Sequence, residues 1–472
     1  MLTAMLVLMG IFQCPAVVCA QDQQSDTATK PAAKALPPIG FGDDQETTQP
    51  SDTLQPDNRP LTGFQQLTTG SPPERHSYWI PGISYTNFIQ SSALTQGGGS
   101  GWNSTSFVTG NLSLLQNWST SQLALNYSGG GSLSSDSSIG NGQFHQFGAV
   151  ETFNWRRWQL TFLDEFSYLP ESQFGFGAGT ALSTPGVGGS LAPGLPGLQN
   201  GFTPSQSIFT AVGPRYFNSF GTQVNLLLTP RSSVTFGGVL GILRFTESEN
   251  IESNDVILNA GFNYQVSRTD SFGLSYRFSA YHYIGLPQAI GDQAIQAVYG
   301  KKITGRLALQ LSGGPEITNF RMSPGVGTKR QYIAGTGSVG LSYAFFPGSL
   351  SLSYAHGVNN GSGVLLSATS DQITGGATRR LSRVWSGNAS LGYARNRSAA
   401  TSTTQNQAYN TLYIGAGLRR PLSRSTNLAL NYTANIETAN NTICAGPNCG
   451  TNFTTHTITV GLSWHARPFV LH

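Results

Sequence analysis

One segment, here called the 220–242 hairpin, begins Phe220-Gly-Thr-Gln-Val-Asn-Leu-Leu-Leu228, turns through Thr229-Pro-Arg-Ser232 and returns as Ser233-Val-Thr-Phe-Gly-Gly-Val-Leu-Gly-Ile242. Apolar residues alternate with small polar ones in both arms, and this period of two is typical of half-buried β-strands. The short turn permits only an antiparallel return. One face of the resulting hairpin is apolar, and the other carries small neutral residues instead of the charges of a water-facing sheet. Hairpins of this kind recur to the end of the chain.

The composition narrows the fold class. The chain has 472 residues, of which only 10% are charged and 38% hydrophobic, with 57 glycines. No run of about 18 apolar residues follows the N-terminus, which excludes membrane-spanning helices. Low charge with abundant glycine favours a transmembrane β-barrel, although a β-solenoid or a fibrous adhesin has a similar composition. The net charge of +4 is too small to indicate a nucleic-acid partner.

The N-terminal part differs from the rest of the chain. Residues 1–20 form an apolar leader ending Val18-Cys19-Ala20, which predicts a signal peptide. The alternative is a lipoprotein attached through Cys19. Residues 21–76 are rich in Pro, Gln, Thr and Asp and have no periodic apolar face, so they are predicted to be a flexible, disordered periplasmic arm. The barrel is assigned to residues 77–472.

The alternation predicts about eighteen strands. They are Ile83–Ser91, Ser106–Leu115, Gln122–Tyr127, Phe144–Phe153, Trp158–Tyr168, Phe217–Leu228, Val234–Phe245, Val256–Gln265, Phe272–His282, Ala294–Lys301, Arg306–Ile317, Tyr332–Phe345, Leu350–Gly357, Leu365–Ala377, Val384–Ala394, Tyr409–Leu418, Asn427–Ile436 and His456–Trp464. The alternation is poorest in Ile83–Ser91 and Leu365–Ala377, and sixteen strands remain if these two fail.

The connections between the strands alternate between short turns and longer loops rich in Gly, Ser and Asn, such as Gly129–Gly142 and Glu171–Pro214. Short turns at one end and long loops at the other are typical of outer-membrane barrels, and a soluble sandwich has no reason to follow this rule. The sequence therefore predicts an all-β protein, a closed antiparallel transmembrane β-barrel with an even number of strands.

The chain resembles a bacterial outer-membrane β-barrel of the porin type. The resemblance covers about Ile83 to Trp464, and it is supported by the last strand, which is similar to the C-terminal assembly signal of such barrels: Ile458, Val460, Leu462 and Trp464 share its outer face. This resemblance implies a location in the bacterial outer membrane, contact with its lipid, and passive diffusion of small hydrophilic solutes. Porins usually end at a Phe, whereas this chain continues to His472.

Family resemblance also points to a constriction. In general porins the third extracellular loop folds into the barrel, and here that loop is Glu171–Pro214. After Glu171 it has no charged residue before Arg215, so a constriction containing Leu195 and Leu198 would select by size more than by charge. The alternative is an external lid.

Two further sets of residues are candidate sites. Cys444 and Cys449 lie close together between two strands, and in an exported protein they predict a loop disulfide, with free thiols as the alternative. The predicted inward-facing charges depend on register; they are Glu151, Asp164 or Glu165, Arg277, Glu316 and Asp371.

Aromatic residues near strand ends are predicted to form interfacial girdles; they include Phe217, Tyr281, Tyr283 and Trp464. No cofactor or metal site is predicted. His356 and Asp371 form the one acid–base pair that the strand order places on adjacent strands.

Three functions follow from these observations. The first is a weakly selective porin-like channel, which the polar inner face and the strand number favour. The second is an accessory or export-system barrel that binds a periplasmic partner through residues 21–76. The third is an outer-membrane hydrolase, for which the barrel is the only support.

Overall fold

The computed structural model describes residues 77–91, 101–135, 141–169, 215–246, 251–286, 289–321, 330–359, 361, 365, 367–398, 408–423, 425–440 and 452–471. No helix among these residues is long and apolar enough to cross a membrane. The leader, the arm, the loop 171–214 and the segment with Cys444 and Cys449 lie outside the described residues.

The described chain is a succession of antiparallel strands. Their bounds are β1 Ser77–Ser91, β2 Trp102–Asn117, β3 Ser121–Ser134, β4 Gly142–Asn154, β5 Trp158–Leu169, β6 Arg215–Thr229, β7 Ser232–Phe245, β8 Ser253–Gln265, β9 Asp270–Tyr283, β10 Ala289–Lys302, β11 Leu307–Arg321, β12 Arg330–Phe345, β13 Gly348–Asn359, β14 Ala368–Arg380, β15 Ser386–Ser398, β16 Ala408–Pro421, β17 Thr426–Ala439, β18 Phe453–His465 and β19 Phe469–Leu471. Strands β1 to β17 each pair with the next one along the chain, and β1 also pairs with β18. This last pairing closes the barrel and confirms the predicted fold of eighteen strands.

The two faces of the wall separate polar from apolar side chains. In the 220–242 hairpin, Gln223 and Asn225 are 3% and 4% exposed, whereas Phe236 and Leu240 are 55% and 53% exposed. A closed barrel leaves no unpaired strand edge in lipid, and an apolar outer face with a polar inner face is the pattern of membrane-spanning barrels. The predicted register is confirmed here, since the exposed apolar residues form the outer face.

The connections confirm the predicted asymmetry. At one end, here called the short-turn end, the connections have two to five residues; at the other, the long-loop end, they have five or more. Strand β1 runs from Ser77 at the short-turn end to Ser91 at the long-loop end. Every described residue can therefore be placed near one of the two ends or between them.

Two features differ from the sequence prediction, and one weak part of the prediction is confirmed. Gly129, Gly130 and Gly131 lie within β3 and not in a loop, because the strands extend beyond their apolar alternation. The two weakest predicted strands are both present, as β1 and β14. The residues after the last predicted strand form the short strand β19, which pairs with the start of β1 and stacks Phe469 on Trp79 at a ring-centroid distance of 4.7 Å.

Candidate functional site on the inner wall of the barrel

Polar side chains without charge cover much of the inner wall. Buried inward-facing examples on ten different strands are Thr86, Thr109, Ser132, Thr152, Thr161, Asn225, Thr235, Asn259, Gln296 and Thr411. Many of them bind each other across strands: Thr235 Oγ1 donates to Asn225 Oδ1 at 2.8 Å, and Gln296 Nε2 donates to Thr336 Oγ1 at 3.2 Å. Because side chains alternate along each strand, this lining continues the polar face that the sequence predicts.

A charged cluster interrupts this neutral lining on β9, β10 and β11. Arg277 Nη2 lies 2.8 Å from Glu316 Oε1 and 3.2 Å from Asp292 Oδ2, so one guanidinium pairs with two carboxylates. Thr318 donates to the other oxygen of Asp292 at 3.0 Å. The register explains the contact: Arg277, Ala294 and Glu316 are cross-strand partners in one row, and the small methyl group of Ala294 leaves room for Arg277 to reach Glu316.

Glu316 also reaches a third strand. The hydrogen-bonded register of β12 and β13 ends at Gly337 and His356, although β13 continues to Asn359. Beyond that point Val358 N donates to Glu316 Oε1 at 3.4 Å, and Thr336 Oγ1 donates to the His356 carbonyl at 2.8 Å. Side chains of the inner wall therefore take the place of ladder hydrogen bonds where two strands separate.

Several aromatic residues predicted for the interfacial girdles lie on the inner wall instead. Tyr281 and Tyr283 are buried there with Ile290, and Phe217 is buried with Leu243 and Phe245. Their odd numbers put them on the same face as Arg277 in β9 and as Asn225 in β6, so alternation outweighs the general preference of aromatics for the interface. Trp464, in contrast, is exposed on the outer face as predicted.

The end of the connection between β13 and β14 approaches the inner wall. Tyr283 is hydrogen-bonded to the backbone of Ser367, which has a φ of 65°. Leu365 packs in a buried cluster with Ala368 and Tyr409. Described parts of this connection therefore contact Tyr283 of β9, four strands before β13, and Tyr409 of β16, two strands after β14.

The structure settles which face each candidate charge occupies. Arg277 and Glu316 lie on the inner wall, and of the neighbouring pair Asp164 and Glu165, Glu165 faces inward with Thr161 and Leu163. Glu151 faces outward, because its neighbour Thr152 is the buried inward residue. The sequence interpretation missed three inward acids; they are Asp255, Asp292 and Glu437.

The sequence predicts that Asp371 faces inward. The structure instead places it on the outer face. It shares that face with the exposed Ile373, and the buried Ser370 faces inward beside it. Its carboxylate Oδ1 lies 2.7 Å from His356 Nδ1 and accepts a hydrogen bond from the Tyr354 hydroxyl at 2.9 Å. A hydrolase would need a hydroxyl or thiol nucleophile on this imidazole, and none of the described residues forms that contact.

The remaining candidates are outside the described residues. These are the constriction loop with Glu171, Leu195 and Leu198, and the cysteine pair Cys444 and Cys449. Both assignments stay predictions. Among the described residues no group of three or more His, Cys, Asp or Glu side chains is arranged to hold a metal ion.

Comparison with known proteins finds similarity to solved structures. No family model matches the chain, and no curated protein does. Among solved structures, the outer membrane protein OpdK from Pseudomonas aeruginosa is 9% identical, with a TM-score of 0.42 over 82% of this chain and 99% of that one. OccK2 (OpdF) from the same organism, in complex with glucuronate, is 11% identical, with a TM-score of 0.43 over 84% and 98%.

A third similar structure is the ferric-catecholate import receptor Fiu from E. coli, which is 10% identical, with a TM-score of 0.40 over 84% of this chain and 82% of that one. Likenesses of this size say nothing about solute, and the fold of this chain rests on its own strand pairing. The chain is similar in architecture to outer-membrane barrels of the porin type, as its own closed antiparallel barrel shows.

Proposed function

We propose that the protein is a passive channel of the bacterial outer membrane for small hydrophilic solutes. The observation that carries this proposal is the closed barrel of eighteen strands with its polar inner wall. Barrels of this size generally enclose an aqueous path. In this proposal residues 1–20 are a signal peptide, residues 21–76 are a periplasmic arm, and the short-turn end faces the periplasm.

The charges of the inner wall support weak selectivity for cations. Acidic side chains on five strands face inward; they are Glu165, Asp255, Asp292, Glu316 and Glu437. Arg277 pairs with two of them, and inward-facing Lys302, Arg380 and Arg419 add positive charge near the short-turn end. Because wall charges set ion preference in a pore, the partial compensation should leave a modest excess attraction for cations.

The first prediction concerns conduction. The purified protein in a planar bilayer should give discrete conductance steps, and a salt gradient should produce a small reversal potential of the sign for cation preference. Denatured protein added at the same concentration is the control. A protein that inserts but never conducts, even after removal of residues 21–76, would contradict the channel.

The second prediction concerns the loop 171–214, which we propose as a nearly neutral constriction. Deleting residues 175–201 should raise the conductance if the loop lies inside the barrel. Leu195→Asp or Leu198→Asp should then shift selectivity further toward cations, because a carboxylate in a narrow, poorly screened passage attracts them. Leu195→Asn is the matched uncharged control. Unchanged conductance and selectivity in all these variants would indicate an external lid.

The accessory barrel is the second candidate, and the position of the N-terminus favours it. Strand β1 begins at Ser77 at the short-turn end, so residues 21–76 precede the barrel on the side assigned to the periplasm. An arm of this length and composition is suited to binding a partner as it folds. Absent conductance together with binding of residues 21–76 to a periplasmic protein would favour this function over the channel.

A further inference from the structure

The outer face of β13, β14 and β15 changes from apolar to charged in three successive rows toward the long-loop end. The lowest row has Leu352, Gly375 and Leu391 as cross-strand partners; the next has Tyr354, Ile373 and Tyr393; the third has His356, Asp371 and Arg395. Successive rows are about 7 Å apart, since each advances two residues along a strand. Arg397 lies one row further, opposite Thr369.

This order is the one expected where a membrane meets water. Apolar side chains occupy the hydrocarbon, tyrosines occupy the interface, and cations lie at the level of the headgroups. The row of His356, Asp371 and Arg395 is therefore at headgroup depth, and the side chains below it would contact acyl chains.

The same boundary recurs elsewhere around the barrel. Tyr127 binds His145 Nδ1 at 2.9 Å, and Tyr432 binds His456 Nδ1 at 2.8 Å, each histidine being nearer the long-loop end than its tyrosine. The described histidines near the long-loop end all face outward; they are His145, His282, His356 and His456. The patch on β13–β15 is distinguished by the two arginines beside its histidine.

The patch has the donors of a phosphate site. Arg395 and Arg397 are exposed and, among the described residues, neither takes part in a salt bridge. The Asp371 carboxylate holds His356 through Nδ1, which leaves Nε2 as the nitrogen available to a ligand. Asp371 offsets one of the two guanidinium charges, so the patch keeps a net positive charge. Guanidinium groups form strong, often bidentate hydrogen bonds with phosphate.

We propose that Arg395, Arg397 and His356 bind the phosphate of a phosphorylated lipid headgroup in the leaflet at the long-loop end. The continuous apolar rows directly beneath the patch favour a lipid over a soluble phosphate, since Leu352 and Leu391 would cover its acyl chain. The proposal requires the barrel to be in a membrane and does not depend on conduction.

The test is lipid binding to the purified full-length barrel, measured by native mass spectrometry. The probe is lipid A, an acylated glucosamine disaccharide with two phosphates, compared with its dephosphorylated form. The phosphorylated lipid should bind at least about tenfold more tightly, and R395Q/R397Q should weaken its binding roughly thirtyfold, since each of the two basic residues near an anionic membrane surface contributes on the order of fivefold. H356Q should cause a smaller loss.

The matched control is R156Q/R157Q, which removes two adjacent exposed arginines at the short-turn end. These charges are distant from the patch and screened by salt, so binding should change by less than about twofold. Equal losses in the two double variants would overturn the proposal. Equal binding of the two lipids by the unaltered protein would overturn it too, without any need for a variant to fold. Inorganic phosphate that binds as tightly as lipid A would overturn the assignment to a lipid.

Discussion

Replacing Arg277 by glutamine is expected to lower the free energy of unfolding by about 3–5 kcal/mol. The Asp292 and Glu316 side chains in contact with this guanidinium are 0% and 1% exposed. Without Arg277, two buried carboxylates on adjacent strands would face each other with no cation between them. Removing one partner of a buried ion pair costs more than the pair itself contributes, because it leaves charge uncompensated in a poorly hydrated site.

The measurement is the urea midpoint for unfolding of the barrel in lipid vesicles. Arg231→Gln is the control, since that arginine is exposed in the turn between β6 and β7 and should change the midpoint little. The triple variant R277Q/D292N/E316Q should recover most of the loss, because it removes the unpaired charges as well. If Arg277→Gln is as mild as Arg231→Gln, the cluster does not stabilise the wall.

How well the sequence predicts whether a side chain faces inward or outward depends on how regular the alternation is around that residue. Arg277 lies between the outward Tyr276 and Phe278 of a strand that alternates along its whole length, so its inward direction can be read directly. In β14 Ile373 is the one large apolar side chain, and the polar residues around it give no clear period. Asp371 lies two residues from Ile373 and so shares its face of the strand. The apolar character of Ile373 is the one feature of the sequence that would have placed Asp371 on the outer face.

The inward direction of some other residues could also be read from the alternation, but general preferences of residue types outweighed it in the prediction. Tyr281 and Tyr283 have the inward parity of Arg277, yet their position near a strand end indicated a girdle. Glu437 shares its parity with Asn435 and lies beside it on the inner wall. For such residues the register established by the strand interior is a better guide than the preference of a residue type for an interface.

Contacts that cross more than one strand could not be predicted from the pattern. Glu316 reaches Val358 because the ladder between β12 and β13 ends at Gly337 and His356. Alternation defines which face a side chain occupies, but it contains no information on where neighbouring strands separate. The same limit applies to Ser367, whose backbone contacts Tyr283 from a connection between other strands.

Gly314→Ala should destabilise the barrel strongly, by about 1–3 kcal/mol or more, because the new methyl group has no space. The regular pairing of β10 with β11 is interrupted between Ala294–Glu316 and Ala297–Gly313. Pro315 lies in this interval and has no N–H to donate. A Cβ on Gly314 would overlap the carbonyl oxygen of Ile295, a backbone atom that can move only with its strand.

Gly313→Ala is the matched control, because it adds the same methyl group one residue away. Its nearest contact would be the Thr336 carbonyl oxygen at 3.7 Å, which is ordinary van der Waals distance. The free energy of unfolding from the urea titration should therefore stay within about 0.5 kcal/mol of that of the unaltered protein, as for most unstrained surface substitutions. A forced shift of β11 at Gly314 would also move Glu316, two residues further on, away from Arg277. Gly314→Ala should thus reproduce part of the defect of Arg277→Gln, and equal stability of the two alanine variants would contradict the close approach of β10 and β11.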